Sequence, residues 1–506
     1  MVKRSRIFLL STSILALGAC LPMQQSAPAQ AGMTGADTAP TYYRDVRPII
    51  AEHCVSCHQE KTAAPFPLLT YRDIEKRAPQ IAQVTNARFM PPWKPDSHGE
   101  LFGENRLSAQ EIDILQSWAS HGAPAGKDTE AITTSAKTIA NVSVPELGTP
   151  DAVLKPAEPS HIPADGPDFY RCYVLHTDFG KDRYLSAIVV RPGNAAAVDH
   201  ALVYQDLSHR VRFMNDVGPE GAFTVQGSTT GLQPAMVIAG WGIGSHEMRF
   251  PAGSGILLTR GADLIVEEHY RPTGKTETDL PHLMLYFCKG PVAHRVRVAP
   301  VMPQNLRMPP NFTGMHIGGQ SPITSDITVI SILPYLRRHG AAITAGALTP
   351  DRKQTPLLTI SQWDFDWIGD YRFKRPVKLP AGSLLTMEAT FNNGTPAAQA
   401  GNAAQNTGQS GDGILNVQQG DLLLWGDRPS DENAVAYVFY TTDSEIPGRR
   451  DIAGVPDSGG AAQAGMIKVI LQMFDTNHDG TIDQSEYRNM RGYFRGGMPS
   501  MAGMEM

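Results

Sequence analysis

The 506-residue chain is short of charge, of cysteine and of long apolar runs, and each shortage narrows its function. Only 19% of the residues are charged and the net charge is −6, so there is no basic stripe to follow a phosphate backbone, and nucleic acid is excluded as a partner. No segment reaches the roughly 20 apolar residues that a bilayer-spanning helix needs. The five cysteines are few enough to be assigned one by one. A hydrophobic content of 42% suits folded soluble domains, and the length exceeds one ordinary core. Domains of roughly 100–200 residues imply about three folded units.

Lys3, Arg4 and Arg6 precede a mostly apolar stretch over residues 7–17, and Leu17-Gly18-Ala19-Cys20 closes it with small residues. This is the pattern of an export signal over residues 1–20. Its ending resembles a bacterial lipobox, which implies cleavage before Cys20 and a lipid on that sulfur; ordinary cleavage nearby, giving a free periplasmic protein, is the alternative. Two or more acyl chains anchor stably to a membrane, and Leu21 in place of Asp implies the outer membrane of the periplasm. Residues 21–40, rich in Ala, Gln, Ser, Thr, Gly and Pro, read as a flexible tether.

Cys54-Val55-Ser56-Cys57-His58 has the spacing that lets two thiols add to the vinyl groups of one haem while the next residue offers an imidazole to the iron. The bland reading is a stray disulfide pair. Apolar residues Val46, Ile49 and Ile50 before the motif, and Ile112, Leu115 and Trp118 before Gly122, have helical spacing. A small all-α cytochrome c domain is therefore expected over residues 41–125. Met90, in the Pro-stiffened run Arg88-Phe89-Met90-Pro91-Pro92-Trp93, is the candidate sixth iron ligand opposite His58. A core methionine there, with His53 on the iron or an open iron, is the alternative. A His/Met pair closes the iron to substrate and suits electron transfer with a periplasmic donor or acceptor.

From about residue 145 short β-rich runs alternate with Pro and Gly turns, which predicts sandwiches or barrels. Two such domains are expected, 145–305 and 306–445, with a break where prolines and polar residues gather at 300–311. Cys172 and Cys288 remain unassigned; one disulfide or two buried thiols are both open.

Pro192-Gly193-Asn194 leading to Val198-Asp199-His200-Ala201-Leu202-Val203-Tyr204, then Glu268-His269-Tyr270-Arg271-Pro272-Thr273-Gly274 and Trp363-Asp364-Phe365-Asp366-Trp367, resembles the type II copper, ascorbate-dependent monooxygenases, which include peptidylglycine α-hydroxylating monooxygenase. The resemblance covers most of the chain after the export signal and implies two nine-stranded, jelly-roll-like sandwiches. It also implies that Asp199, His200 and His269 stand where that family binds an electron-relaying copper. Two imidazoles and a carboxylate still suit Cu(II) or Zn(II); a hydrogen-bonded structural histidine pair is the alternative. The family's oxygen-activating copper takes a His-x-His pair and a later methionine, and here Tyr335, Arg337 and Asn433 occupy those positions. A guanidinium repels a metal cation, so the ligand set is absent and oxygen chemistry does not transfer with the fold.

Asp475, Asn477, Asp479, Thr481, Asp483 and Glu486 fall at the first, third, fifth, seventh, ninth and twelfth positions of a loop with Gly480 at its turn, the spacing of a calcium-binding EF-hand over residues 464–496. Spaced methionines after residue 497 can capture Cu(I) or form a disordered end. The expected protein is a lipid-anchored periplasmic redox protein with haem c, calcium and, conditionally, copper. The rival is a catalytically inactive binding module on the same fold.

Overall fold

Among the described residues of the computed structural model, the α-helices lie between residues 47 and 120 and the strands between 152 and 442. The structure describes residues 39–59, 62, 64–97, 99–127, 147–207, 211, 221–225, 236–245, 247–303, 306–394, 422–426 and 431–442. From Pro40 onward these belong to one compact unit. Cys20, residues 21–38 of the tether and the whole 464–496 loop region lie outside the described residues.

A single π turn (Tyr42–Val46) leads into α1 (Arg47–His53), which has Pro48 in its first turn; α2 (Tyr71–Glu75), α3 (Ala78–Asn86) and α4 (Ala109–Ser120) follow. Thr70 with Asp73, and Ser108 with Glu111, form reciprocal caps that satisfy the free amides opening α2 and α4. Helix α4 buries Ile112, Leu115 and Trp118 on one stripe, and Gly122 with φ +82° ends its last turn. These side chains meet Val46, Ile50, Ile74 and Ile81 in a small core of their own. The helices expected on either side of the Cys-x-x-Cys-His motif are thus present as α1 and α4.

Among the described residues, twenty-two strands follow in chain order. The first group is β1 (Ala152–Leu154), β2 (Ser160–Ile162), β3 (Phe169–His176), β4 (Arg183–Arg191), β5 (Val198–Asp206), β6 (Ala222–Val225) and β7 (Met236–Gly242). Next come β8 (Met248–Arg249), β9 (Ser254–Leu258), β10 (Asp263–Tyr270), β11 (Glu277–Asp279), β12 (His282–Phe287) and β13 (His294–Val301). The remainder are β14 (Arg307–Met308), β15 (Met315–Pro322), β16 (Ile327–Leu336), β17 (Gly340–Leu348), β18 (Gln354–Ile360), β19 (Tyr371–Leu379), β20 (Leu384–Phe391), β21 (Leu423–Leu424) and β22 (Ala434–Thr442).

The chain is mostly β-sheet, as expected of β-sandwiches, and strands from both sides of residues 300–311 share one sheet. One nine-stranded sheet runs β1-β12-β4-β9-β13-β22-β16-β19, with β8 beside β4, and so combines strands from both sides of that boundary. A five-stranded sheet, β6-β3-β10-β5-β7, and a four-stranded sheet, β15-β20-β17-β18, supply the other layers. Alternate residues of β22 face different cores: Val435, Tyr437 and Phe439 belong to the first, Ala434, Ala436, Val438 and Tyr440 to the second. Strand β16 divides in the same way, with Leu333 and Tyr335 in one core and Ile332 and Leu336 in the other. A strand buried on both faces reads as a continuous apolar run, and all nine residues of β22 are buried.

The helical segment is docked on this frame. Leu101 forms a β-bridge with Phe373 and is 1% exposed inside the second core. Phe102 donates its amide to the Arg372 carbonyl and Lys374 donates to that of Glu100, both at 2.8 Å. Trp93 packs edge-on against Tyr371, with ring centroids 5.7 Å apart.

Candidate functional site

Strands β5 and β10 are neighbours, and their antiparallel register puts His200 opposite His269. The register then slips, pairing Tyr270 with Val198 and leaving Asp199 as the extra residue of a β-bulge. Consecutive strand residues otherwise point to opposite faces, so the bulge is what turns Asp199 to the side that His200 occupies. The donor atoms of Asp199, His200 and His269 all lie within 4.8 Å of one another, and the residues are 2%, 1% and 2% exposed. Among the described residues this is the one convergence of three side chains able to hold a metal ion.

His269 Nδ1 lies 3.1 Å from Asp199 Oδ2, a hydrogen bond, whereas His200 Nδ1 is 3.5 Å from the same oxygen, too long to be a good one. Neither ring nitrogen of His200 has a hydrogen-bond partner among the described residues. An unsatisfied buried polar atom costs about 1–3 kcal/mol, so a wholly buried imidazole with both nitrogens unused is what a missing ligand to those nitrogens would leave. Burial pushes the His269 imidazole down to about 4, Asp199 opposing and His200 reinforcing the shift, so this ring is neutral and its lone pair available at neutral pH. Burial opposes ionisation of Asp199, but His200, His269 and the Arg271 guanidinium together hold its carboxyl well below the usual range. One carboxylate and two imidazoles fit Zn(II) or Cu(II).

Around the cluster, Arg271 donates to Asp199 Oδ1 at 3.0 Å and to Asp366 at 2.6 Å. Asp168 pairs with Arg338 and lies 3.7 Å from His269 Nε2. Tyr170 stacks on His269 with centroids 4.5 Å apart, Tyr335 stands edge-on to His200 at 5.9 Å, and Phe365 packs on both imidazoles at 5.2 and 5.3 Å. Tyr335 therefore forms part of the wall of the Asp199/His200/His269 cluster. Arg337 donates instead to the Asp431 carbonyl at 2.6 Å, and His339 is bound to Glu432 at 2.8 Å. Asn433 is buried with its side-chain oxygen unpaired. The bulge at Asp199 and the pairs made by Arg271 and Arg338 had no local signature, since they join residues 72 to 170 positions apart.

In the Cys-x-x-Cys-His motif, Cys54 ends α1, and the amides of Cys57 and His58 return to its carbonyl at 3.2 and 2.9 Å. Both cysteines are free thiols. Burial, helped by the neighbouring Cys57, pushes the Cys54 thiol up to about 12, and burial also raises Cys57. His58 Nδ1 lies 3.0 Å from the Phe66 carbonyl, which can only accept, so the proton sits on Nδ1 and Nε2 keeps its lone pair. Both ring nitrogens of His53 are committed, to Asn105 at 2.7 Å and Glu111 at 3.2 Å, which removes it as a competing iron ligand. Met90 is half-buried in the turn after α3, its amide bonded to the Val84 carbonyl at 3.2 Å.

The pairing of Cys172 with Cys288 is not made, and both are free. Cys172 is buried in β3 of the five-stranded sheet, whereas Cys288 follows β12 of the nine-stranded sheet and donates to the Ser254 carbonyl at 3.5 Å. Sequence spacing carries no information on that separation. Asp475, Asn477, Asp479, Thr481, Asp483 and Glu486 lie outside the described residues. Among the described residues no helix is long and apolar enough to cross a membrane.

No family model matches the chain, and no curated protein does. Solved structures give faint likenesses. T=1 particles derived from infectious bursal virus show 13% identity over 71% of this chain and 96% of that one, with a TM-score of 0.15. A secreted protein from Eubacterium rectale shows 9% identity over 56% and 69%, TM-score 0.17, and PNGF-II shows 9% over 60% and 63%, TM-score 0.22. Similarity at this level bears on neither the fold nor the chemistry of this chain.

Proposed function

We propose that the chain is an exported redox protein in which residues 41–125 carry one haem c and transfer electrons to or with a copper-monooxygenase-like β module. The observation that carries this reading is His58, whose Nδ1 is tied to the Phe66 carbonyl, beside two unpaired cysteines at attachment spacing. Cys54 and Cys57 would hold the haem covalently, and His58 and Met90 would be the residues that bind its iron. Bound haem would supply a one-electron iron couple. The Phe66 carbonyl fixes the His58 tautomer, and the Phe66 ring, 5.0 Å from the imidazole and covered by Arg77, limits water on that side.

Asp199, His200 and His269 would hold the copper, with Arg271 fixing the carboxylate and Phe365 and Tyr170 fixing the rings. In the same reading Cys20 carries the lipid that anchors the protein in the periplasm, and the loop from Asp475 to Glu486 binds calcium. Tyr335, Arg337 and Asn433 offer no oxygen-activating ligand set, so the module works as a redox or binding partner. A second reading, a ligand-recognising module without redox work in the β region, is favoured by the aromatic rings packed around the His pair.

The test is production in cells that mature c-type cytochromes, followed by mass and iron, copper, zinc and calcium content per chain. Expected are one covalent haem, lost when Cys54 and Cys57 become alanine, and one copper lost with His200→Ala. A chain that stays haem-free under those conditions would sink the electron-transfer reading. Haem with an empty Asp199/His200/His269 cluster would favour the ligand-recognition reading for the β region.

A further inference from the structure

The Cys-x-x-Cys-His loop and the Asp199/His200/His269 cluster meet across one seam. Gly242 pairs with His200 in the β5–β7 ladder, and two residues later a methyl group added at Gly244 would stand 3.6 Å from Cys57 Sγ. Paired strand residues stand about 5 Å apart and successive Cα atoms about 3.8 Å, so the Cys57 sulfur lies within about 18 Å of the His200 Cα. Gly242 itself accepts no side chain: a methyl there would come 1.8 Å from the Ile368 carbonyl oxygen.

Ile368 belongs to the 361–370 loop, which touches both sides of the seam. Its Asp364 binds Lys94 at 2.8 Å, and Asp96 binds Ser361 and donates its amide to the Thr359 carbonyl at 2.8 Å. On the other side Phe365 covers His200 and His269, and Asp366 holds Arg271. A carrier that swings on a tether would leave such a seam weak and polar. Here it is pinned by Leu101 in the second core as well.

We propose that Gly244 and the 361–370 loop are positioning elements that hold the haem-attachment loop as the fixed, intramolecular electron partner of the Asp199/His200/His269 centre. One electron passes between ferrous haem iron and Cu(II), leaving ferric iron and Cu(I). No bond to the protein forms or breaks and no proton moves. The inference rests on the reading that haem and copper are both bound.

The test uses the full chain loaded with haem and copper. Electron paramagnetic resonance of the ferric, Cu(II) protein gives the spin separation, and rapid photochemical reduction by less than one electron per chain follows its redistribution between haem and copper. Expected are a single short separation and a redistribution rate independent of protein concentration. Gly244→Trp, which wedges a ring under Cys57, is expected to lengthen the separation and slow the rate by an order of magnitude or more with one haem and one copper retained. Asp364→Ala, a half-exposed position, is the second variant should Gly244→Trp fail to fold, and is expected to shift both readouts in the same direction. A rate proportional to protein concentration, or a broad and long separation in the unaltered protein, would overturn the proposal while leaving haem and copper binding intact. Absence of haem or copper from the unaltered chain would instead overturn the underlying reading, and this inference with it.

Discussion

Arg271 illustrates how much of the cluster's chemistry lies one shell out. Its guanidinium fixes one Asp199 oxygen at 3.0 Å and leaves the other toward the imidazoles. Losing such an orienting partner typically costs 10–100-fold in metal affinity, so Arg271→Ala should weaken Cu(II) or Zn(II) binding by about that factor, read by competition titration. Asp370 is a second residue with a definite expectation. Burial raises its carboxyl to about 7 against the opposing Ser331 and Arg372, and its Oδ1 is unpaired. The folded protein therefore keeps a proton there between about pH 4 and 7 that the unfolded chain gives up. That contribution to stability is complete below about pH 4 and is lost as pH rises to 7. Asp370→Asn, which cannot ionise, should match the parent near pH 4 and exceed it at pH 8 by up to about 4 kcal/mol, measured by denaturant titration at both pH values.

At the scale of elements, the strand-like stretch around Leu101 ties the helical segment to β19 through one bridge and two amide bonds. Burying a leucine in another element's core makes the docking specific: Leu101→Ala should destabilise the whole protein by about 2–5 kcal/mol. It should also speed hydrogen exchange at Phe102 and Lys374, whose amides lie on either side of the bridge. Helices α1 and α4 were readable from apolar spacing, because that signal is local. Short β runs were readable for the same reason. The bulge that turns Asp199 inward was not, since a register slip depends on the partner strand rather than on the residues of β5. The free state of Cys172 and Cys288 was equally hidden, because two sheets separate them and spacing says nothing of sheets.

For the whole molecule, the nine-stranded sheet removes the independence that two domains side by side would have. Because β16 and β22 bury one face in each core, neither sandwich can open without exposing part of the other. Calorimetry should show residues 147–442 melting in one transition, with both cores losing protection together; two resolved transitions would contradict the shared core. The β13 to β22 pairing, which reaches across the break expected at residues 300–311, joins residues more than 130 positions apart. Nothing short-ranged in the sequence announces such a pairing.

The shared sheet also sets a timetable. Strand β22, at residues 434–442, is the last strand among those described, and both cores lack an internal strand of their shared sheet until it arrives. A ribosome or a translocation channel delivers it only after more than four hundred residues have emerged. Until then β13 and β16 each lack the neighbour that joins them, so the chain remains pliable for most of its delivery. A strand shared by both cores and delivered this late holds off compaction until most of the chain has emerged.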